Sequence, residues 1–80
     1  MRSSMPTDSY RQILKSWSST QSGFGRWLGV HPVTGKTWGQ SGPPPPVAKL
    51  MTLMVALDIT PEEADRVIQR ARSRGLVKDY

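Results

Sequence analysis

The residues best suited to chemistry lie close together, at His31 and in the stretch Val33-Thr34-Gly35-Lys36-Thr37. Gly-Lys-Thr is the ending of the phosphate-binding loop of nucleotide hydrolases, but the upstream glycine and preceding strand of that loop are missing. His31 is the only histidine and there is no cysteine, so a metal cluster is not expected. No nucleophile is paired with a base. The sequence therefore predicts a binding protein with no cofactor, no metal and no enzymatic activity.

The excess positive charge lies in the first part of the chain. The 80 residues include 11 Lys and Arg against 6 Asp and Glu, a formal net charge of +5. Residues 1–57 hold six of the basic residues and a single acid, Asp8, whereas residues 58–80 hold five of each sign. This distribution favours nucleic acid as a partner of the first part, although small basic proteins also bind other molecules.

Length and cysteine content limit the architecture. Eighty residues allow a single small domain, residues 1–80, and without cysteine no disulfide can stabilise it. No run of about 18 apolar residues and no charged-then-apolar leader is visible, so neither a membrane span nor a membrane partner is expected. The lack of cysteine fits a cytoplasmic location.

Apolar residues recur with helical spacing throughout, which predicts an all-α fold of five helices. Tyr10, Ile13, Leu14 and Trp17 mark one face of the first helix. The predicted helices cover residues 8–17, 21–28, 32–38 and 47–57, and a fifth begins at Pro61 and is ended by Gly75. The fourth helix is the most apolar and is predicted to be central, and residues 1–6 are predicted to form a loose arm.

Capping residues predict where several helices begin and end. Thr60 and Glu63 form a capping box around Pro61 at the start of the fifth helix. Thr7 or Asp8 is predicted to cap the first helix, and a threonine or serine of 18–20 the second. Gly29 suits a left-handed residue that ends the second helix, after which Val30 would turn inward. Residues 39–46, with four prolines, are predicted to be a loop acting as a spacer.

The second and third predicted helices form the pair around which we expect the chain to be organised. Both are short and are joined by a tight turn at Gly29 and Val30, as in a helix-turn-helix, which places its second helix in the DNA major groove. Val30, Thr34 and Trp38 recur at i, i+4 and i+8, so they are predicted to point inward together. Gly25 is predicted to lie where the two helices cross.

Several short motifs within residues 21–51 carry a resemblance to a known family. They are Leu28-Gly29-Val30, Thr34, Trp38, Gly42 and Pro46-Val47-Ala48-Lys49-Leu50-Met51. In this order and spacing they resemble the Xre family of bacterial and phage regulators, also described as Cro-like or lambda-repressor-like. Gly25 replaces the family's usual alanine, Gly39 an often acidic residue, and Gly35 a core valine or isoleucine. The last departure predicts a less firmly anchored third helix.

The resemblance implies a five-helix lambda-repressor-like DNA-binding domain whose helix-turn-helix is formed by helices 2 and 3. By the same resemblance, base-contacting residues would be His31, Pro32, Val33, Lys36 and Thr37. DNA backbone contacts would come from Gln21, Arg26, Gln40, Ser41 and Gly42. Two alternatives stay open: Val33 could be buried in the volume that Gly35 lacks, and Arg26 could be an ordinary solvated charge.

A domain this small reads few base pairs, so useful specificity predicts a homodimer on an inverted repeat. Residues 58–80, where charge balances, are the predicted dimerisation region, with Leu57, Val67, Ile68 and Leu76 as contacts. The expected function is a sequence-specific repressor or autorepressor binding double-stranded DNA. The resemblance alone implies the phage or mobile-element type, such as the small autorepressors that accompany anti-CRISPR genes. The alternative is a protein-binding module on the same scaffold, for example an antiactivator that binds a transcription factor.

Overall fold

A computed structural model describes residues 5–75, and within this range the chain forms five α-helices and no strand. The helices are α1 (Thr7–Ser16), α2 (Gln21–Leu28), α3 (Pro32–Ser41), α4 (Pro45–Ala56) and α5 (Pro61–Ser73). The predicted all-α class and the five helices are therefore confirmed for the described part of the chain. None of these helices has both the length and the apolar character needed to cross a membrane.

An aromatic cluster forms the centre of the core, where α1, α2 and α3 meet. Phe24 lies edge-on to Tyr10 and Trp38, with ring centroids 6.1 and 6.4 Å away, and stacks on Trp27 at 5.9 Å. Met51 from α4 completes the buried set and is fully inaccessible. Edge-to-face aromatic pairs add to the free energy gained from burial alone, so this cluster holds the first three helices together.

Polar caps begin α2 and α5 as predicted. The Thr20 hydroxyl accepts the Gly23 N–H at 2.9 Å. At α5 the Thr60 hydroxyl accepts the Glu63 N–H at 3.3 Å, and the Glu63 carboxylate accepts the Thr60 N–H at 2.9 Å. The predicted cap of α1 is wrong, because Pro6 occupies that position and Thr7 is already helical.

The connection between α3 and α4 is shorter than the predicted loop of residues 39–46. Helix α3 continues to Ser41 and α4 begins at Pro45, which leaves three connecting residues. Gly42 makes the turn with φ of 89°, a value that favours glycine. Pro45 sits in the first turn of α4, where its missing N–H leaves no hydrogen bond unmade. The prolines therefore start a helix instead of forming a long spacer.

Two predictions about the ends of elements are wrong. Val30 does not turn inward and is 38 % exposed, because the turn after α2 is closed by backbone: Gly29 has φ of 88°, and the Val30 N–H donates to the Gly25 carbonyl at 3.0 Å. Met5 is partly buried against the core, so the predicted arm of residues 1–6 is packed at its end. Residues 1–4 of that arm lie outside the described range.

The sequence predicted a central position for α4, but this helix covers one side of the core. Met51 and Met54 are buried, whereas Leu53 and Val55 are about half exposed. The three helices that pack most closely on one another are α1, α2 and α3. The last helix, α5, buries Ala64 and is joined to α2 by a hydrogen bond in which Trp27 Nε1 donates to Asp65 Oδ1 at 2.9 Å.

Candidate nucleic-acid interface

Helices α2 and α3 approach each other closely at three glycines that we call the glycine seam: Gly25, Gly35 and Gly39. All three are buried. A Cβ built on Gly35 would overlap the carbonyl oxygen of Gln21, and one on Gly39 would overlap the Gln21 side chain. A Cβ on Gly25 would lie 3.3 Å from the Gly35 backbone. The predicted crossing at Gly25 is therefore present.

The glycine seam reverses the expectation that Gly35 loosens the third helix. A valine or isoleucine at this position would anchor α3 by filling a gap, but here the gap is absent because the backbones of α2 and α3 are in contact. Backbone atoms in close contact attract each other by dispersion, and they leave no cavity for a side chain to fill. Gly35 therefore fixes the position of α3 against α2.

Helix α1 fixes α3 from a second direction. The Tyr10 hydroxyl donates to the Gly35 carbonyl at 2.7 Å, and Arg11 Nη2 donates to the Gly39 carbonyl at 2.6 Å. Burial raises the pKa of Tyr10 to about 12, so the hydroxyl keeps its proton for this bond. The sequence predicted Tyr10 on the apolar face of the first helix. It did not predict the hydrogen bonds of Tyr10 and Arg11 to α3, because hydrogen bonds to a distant helix leave no periodic signal.

His31 caps the N-terminus of α3. It is extended, with φ of −62° and ψ of 140°, and its Nδ1 accepts the Val33 N–H at 3.1 Å. Pro32 follows in the first turn. A nitrogen that accepts this bond carries no proton, so in the neutral ring Nε2 carries it and is free to donate. The exposed His31 is thus both a cap and a donor at the end of α3.

The side of α3 turned away from the core carries half of the ten residues predicted to contact DNA. Its exposed residues follow at i, i+3, i+4, i+7 and i+8, and we call them the α3 outer face: Val33, Lys36, Thr37, Gln40 and Ser41. Val33 is 59 % exposed, so the alternative in which it is buried is wrong. Gln40 and Ser41 lie within the helix, about one turn beyond Thr37, the last of the predicted base-contacting residues.

The hydroxyls of the α3 outer face have a defined hydrogen-bonding direction. Thr37 Oγ1 donates to the Val33 carbonyl at 3.0 Å, and Ser41 Oγ donates to the Thr37 carbonyl at 3.1 Å. With the proton used inside the helix, each hydroxyl presents only lone pairs outward. In this state the two side chains are acceptors, suited to a ligand that offers N–H groups.

Positive charge lies on this side of the molecule with no acidic residue in α2 or α3 to neutralise it. The sequence contains no Asp or Glu between Asp8 and Asp58. Lys36 is exposed on the α3 outer face and Arg26 on the last turn of α2. Gln21 is partly buried at the glycine seam, and Gly42 is partly buried just past α3. Lys36 is thus part of the α3 outer face, whereas Arg26 lies on a different helix.

The predicted dimerisation residues differ in how accessible they are. Leu57 is 59 % exposed and Val67 is 49 % exposed, whereas Ile68 is partly buried. Leu76 lies outside the described residues. Leu53 and Val55 of α4 are also about half exposed.

The described residues contain no group of three or more His, Cys, Asp or Glu side chains that could hold a metal. Two surface grooves are lined by α1, α4 and the turn after α4, and neither includes a residue of α3.

Comparisons with models of known protein families, with curated proteins and with solved structures gave no match. The interpretation of the α3 outer face therefore depends on its own geometry and chemistry.

Proposed function

We propose that this protein is a sequence-specific DNA-binding regulator in which α2 and α3 act as a helix-turn-helix of the lambda-repressor-like type. The observation that carries the proposal is the α3 outer face: an exposed, acid-free stripe of hydrogen-bonding and apolar groups on a helix fixed from behind. A recognition helix needs this division, with one side holding its angle and the other left free for base edges.

The dimensions of α3 suit the major groove. An α-helix with its side chains is about 10–12 Å across, which fits the major groove of B-DNA, about 12 Å wide, and ten residues would extend about 15 Å along it. Lys36 would donate to guanine O6 and N7. Thr37, which presents lone pairs outward, would accept from adenine N6 or cytosine N4. Val33 and Pro32 would contact a thymine methyl, and His31 Nε2 would donate to a base or phosphate.

Backbone contacts would hold α3 in register along the groove. Most hydrogen bonds of DNA-binding proteins go to phosphates and sugars and carry no sequence information directly. We assign this role to Gln21 and Arg26 on α2, and to Gln40, Ser41 and Gly42 at the far end of α3. To donate to a phosphate oxygen, the Ser41 hydroxyl would turn its proton away from the Thr37 carbonyl. Arg26 adds a cation within a stretch free of acids.

Binding as a homodimer to an inverted repeat would give the specificity that one α3 helix cannot. The two copies would place their α3 helices in two successive major grooves, with half-sites about 34 Å apart. Occlusion of a promoter then makes the protein a repressor, or an autorepressor when the promoter is its own. The absence of cysteine supports a cytoplasmic location, and the resemblance of residues 21–51 to the Xre family supports the phage or mobile-element setting.

Salt dependence tests the electrostatic part of this proposal. Binding to random duplex DNA, measured by fluorescence anisotropy at two salt concentrations, should weaken steeply as salt rises because counterions are released from the phosphates. No binding even at low salt would overturn the proposal. It would favour the protein-binding alternative, for which the exposed Val33 and the adjoining Pro32 would form an apolar contact.

A double substitution tests the reading face itself. Lys36→Ala with Thr37→Ala should abolish binding to an operator selected from a random DNA pool, because it removes the only cation and the central acceptor of the α3 outer face. Lys15→Ala, on the exposed side of α1, is the matched control because it removes the same charge and should keep the preference for the operator. Equal loss in both variants would show that charge alone is sensed.

A further inference from the structure

The side of α4 that faces away from the core is unusually apolar for an exposed helix surface. Its exposed residues follow at i, i+3, i+4, i+7 and i+8, and we call them the α4 outer face: Lys49, Thr52, Leu53, Ala56 and Leu57. Leu53 is 55 % exposed and Leu57, the C-cap, is 59 % exposed. Solvated helix faces normally carry charged and polar residues, whereas a helix that is apolar all round is usually covered.

The two ends of the α4 outer face differ in charge. Lys49 is its only cation and lies toward the start of the helix. At the other end the helix has no basic residue in its last turn, and Asp58 follows the C-cap directly. The negative end of the helix dipole and the Asp58 carboxylate therefore lie together, without a cation from α4 itself to balance them.

We propose that α4 of one copy packs antiparallel against α4 of a second copy, with the two-fold axis close to Leu53. In this antiparallel arrangement the α4 outer face is complementary to itself. The two-fold rotation places the cation at the start of each helix beside the negative C-terminal end of the other helix. Residue i then contacts residue j and j contacts i, as an isologous interface requires.

The register follows from helix geometry. Lys49 lies four residues before Leu53, and Leu57 and Asp58 lie four and five residues after it, so both ends are about 6 to 7.5 Å from the axis. The Lys49 ammonium of each copy thus meets the C-terminal end of α4 and Asp58 of the other. Leu53 packs on Leu53 of the second copy. Thr52, Leu53 and Ala56 also line an open groove beside the start of α1, and this groove receives α4 of the second copy.

The inference deepens the proposed function, on which the need for a dimer rests, and it places the centre of contact on α4. Leu57 and residues of α5 were predicted to form the dimer contact. Leu57 lies at the edge of the proposed interface, and Val67 lies outside it.

Cysteine crosslinking gives a direct test, because the natural chain has no cysteine. Leu53→Cys should form a disulfide-linked dimer under mild oxidation, since the two side chains meet at the axis within reach of a disulfide. Val67→Cys on α5 is the matched control, with similar exposure, and should remain monomeric. Faster crosslinking of Val67→Cys, or equal slow crosslinking of both, would overturn the proposal.

A charge exchange tests the register by analytical ultracentrifugation. Lys49→Glu alone places two acids together at each end of the interface, and Asp58→Lys alone places two lysines together, so each should weaken self-association at least tenfold. Mixing the two variants should restore a heterodimer with wild-type affinity, because both pairs are again opposite in charge. Asp58 has φ of 57°, so circular dichroism must first show that its variant is folded. Association unchanged in either variant would contradict the register.

Random-sequence DNA binding separates this inference from the function on which it rests. Leu53→Asp should be monomeric, because it places two acids together at the proposed axis. It should keep salt-dependent binding to random duplex DNA, because a single copy binds such DNA through its own cations. If the wild-type chain binds DNA yet stays monomeric at every concentration, the dimer inference alone fails. If it dimerises through α4 yet binds no DNA, the function alone fails.

Discussion

The glycine seam between α2 and α3 differs in kind from the attachment of α4 and α5. At the seam, backbone touches backbone, and Tyr10 and Arg11 hydrogen bond to two of the glycines involved. Helix α4 is attached through buried methionines, and α5 through Ala64 and a hydrogen bond between the partly buried Trp27 and the exposed Asp65. The first arrangement permits almost no change of shape, while the second leaves large apolar surfaces uncovered.

This difference indicates a division of labour. A helix that reads bases must keep its angle, because small displacements cost hydrogen bonds, and the seam supplies that constraint without using the α3 outer face. A helix that binds a second copy needs exposed apolar surface, and α4 supplies it. The predictions below test whether the two regions contribute to stability in these different ways.

The largest expected effect comes from a methyl group placed in the seam. Gly35→Ala should lower the free energy of unfolding by about 3 kcal/mol or more, because the new Cβ overlaps the Gln21 carbonyl and neither backbone can yield cheaply. Gly25→Ala is the control. Its Cβ meets backbone at 3.3 Å, and the gain in helix propensity of about 1 kcal/mol offsets the crowding. Urea denaturation measures both, and a Gly35→Ala variant as stable as wild type would contradict the seam.

Alkaline pH should weaken the contact between α1 and α3. The pKa of Tyr10 is raised from 10.0 to about 12 by burial, so above pH 10 the unfolded chain releases a proton that the folded chain keeps. The stabilisation is complete below pH 10 and is lost as pH rises through 12, by up to about 3 kcal/mol. Unfolding by urea at a series of pH values measures this. Tyr10→Phe should lack this component of the decline, and an unchanged decline would exclude Tyr10 as its source.

The smallest effect is expected at the attachment of α5. Asp65→Ala removes the acceptor of the Trp27 indole N–H and should cost about 1 kcal/mol, because the bond is exposed and water replaces it in part. Glu62→Gln is the control: it removes a charge from the same helix start without touching Trp27. Thermal unfolding distinguishes them. A larger loss than for Gly35→Ala would mean that α5 is as firmly held as α3.

Much of the fold could be predicted because its signals are local. Apolar residues spaced by three and four marked each helix, and the capping box at Thr60 and the left-handed Gly29 depend on residues within one turn. The same local reasoning placed Val33, Lys36 and Thr37 on one stretch of α3. Their common exposed face follows from the period of the helix once the core side is known.

The errors arose where distant parts of the chain decide. The sequence predicted that Gly35 anchors the third helix less firmly than a valine or isoleucine, but contact with the Gln21 carbonyl makes glycine the residue that fits there. The third helix was also predicted to end before Gly39, whereas α3 continues to Ser41. Val30 read as a core residue because its spacing from Trp38 is helical, yet it lies in the turn, where that period does not apply. Nothing local reports that α4 covers only one side of the core.

The glycine seam has a consequence for how binding specificity could change. Because α3 is held by its own backbone and by Tyr10 and Arg11, none of the side chains on its outer face is needed to keep it in place. Random libraries at those five positions should therefore contain mostly folded members. New target sequences could be selected from them, and in nature such a scaffold could diverge toward new operators one substitution at a time, with little penalty in foldability.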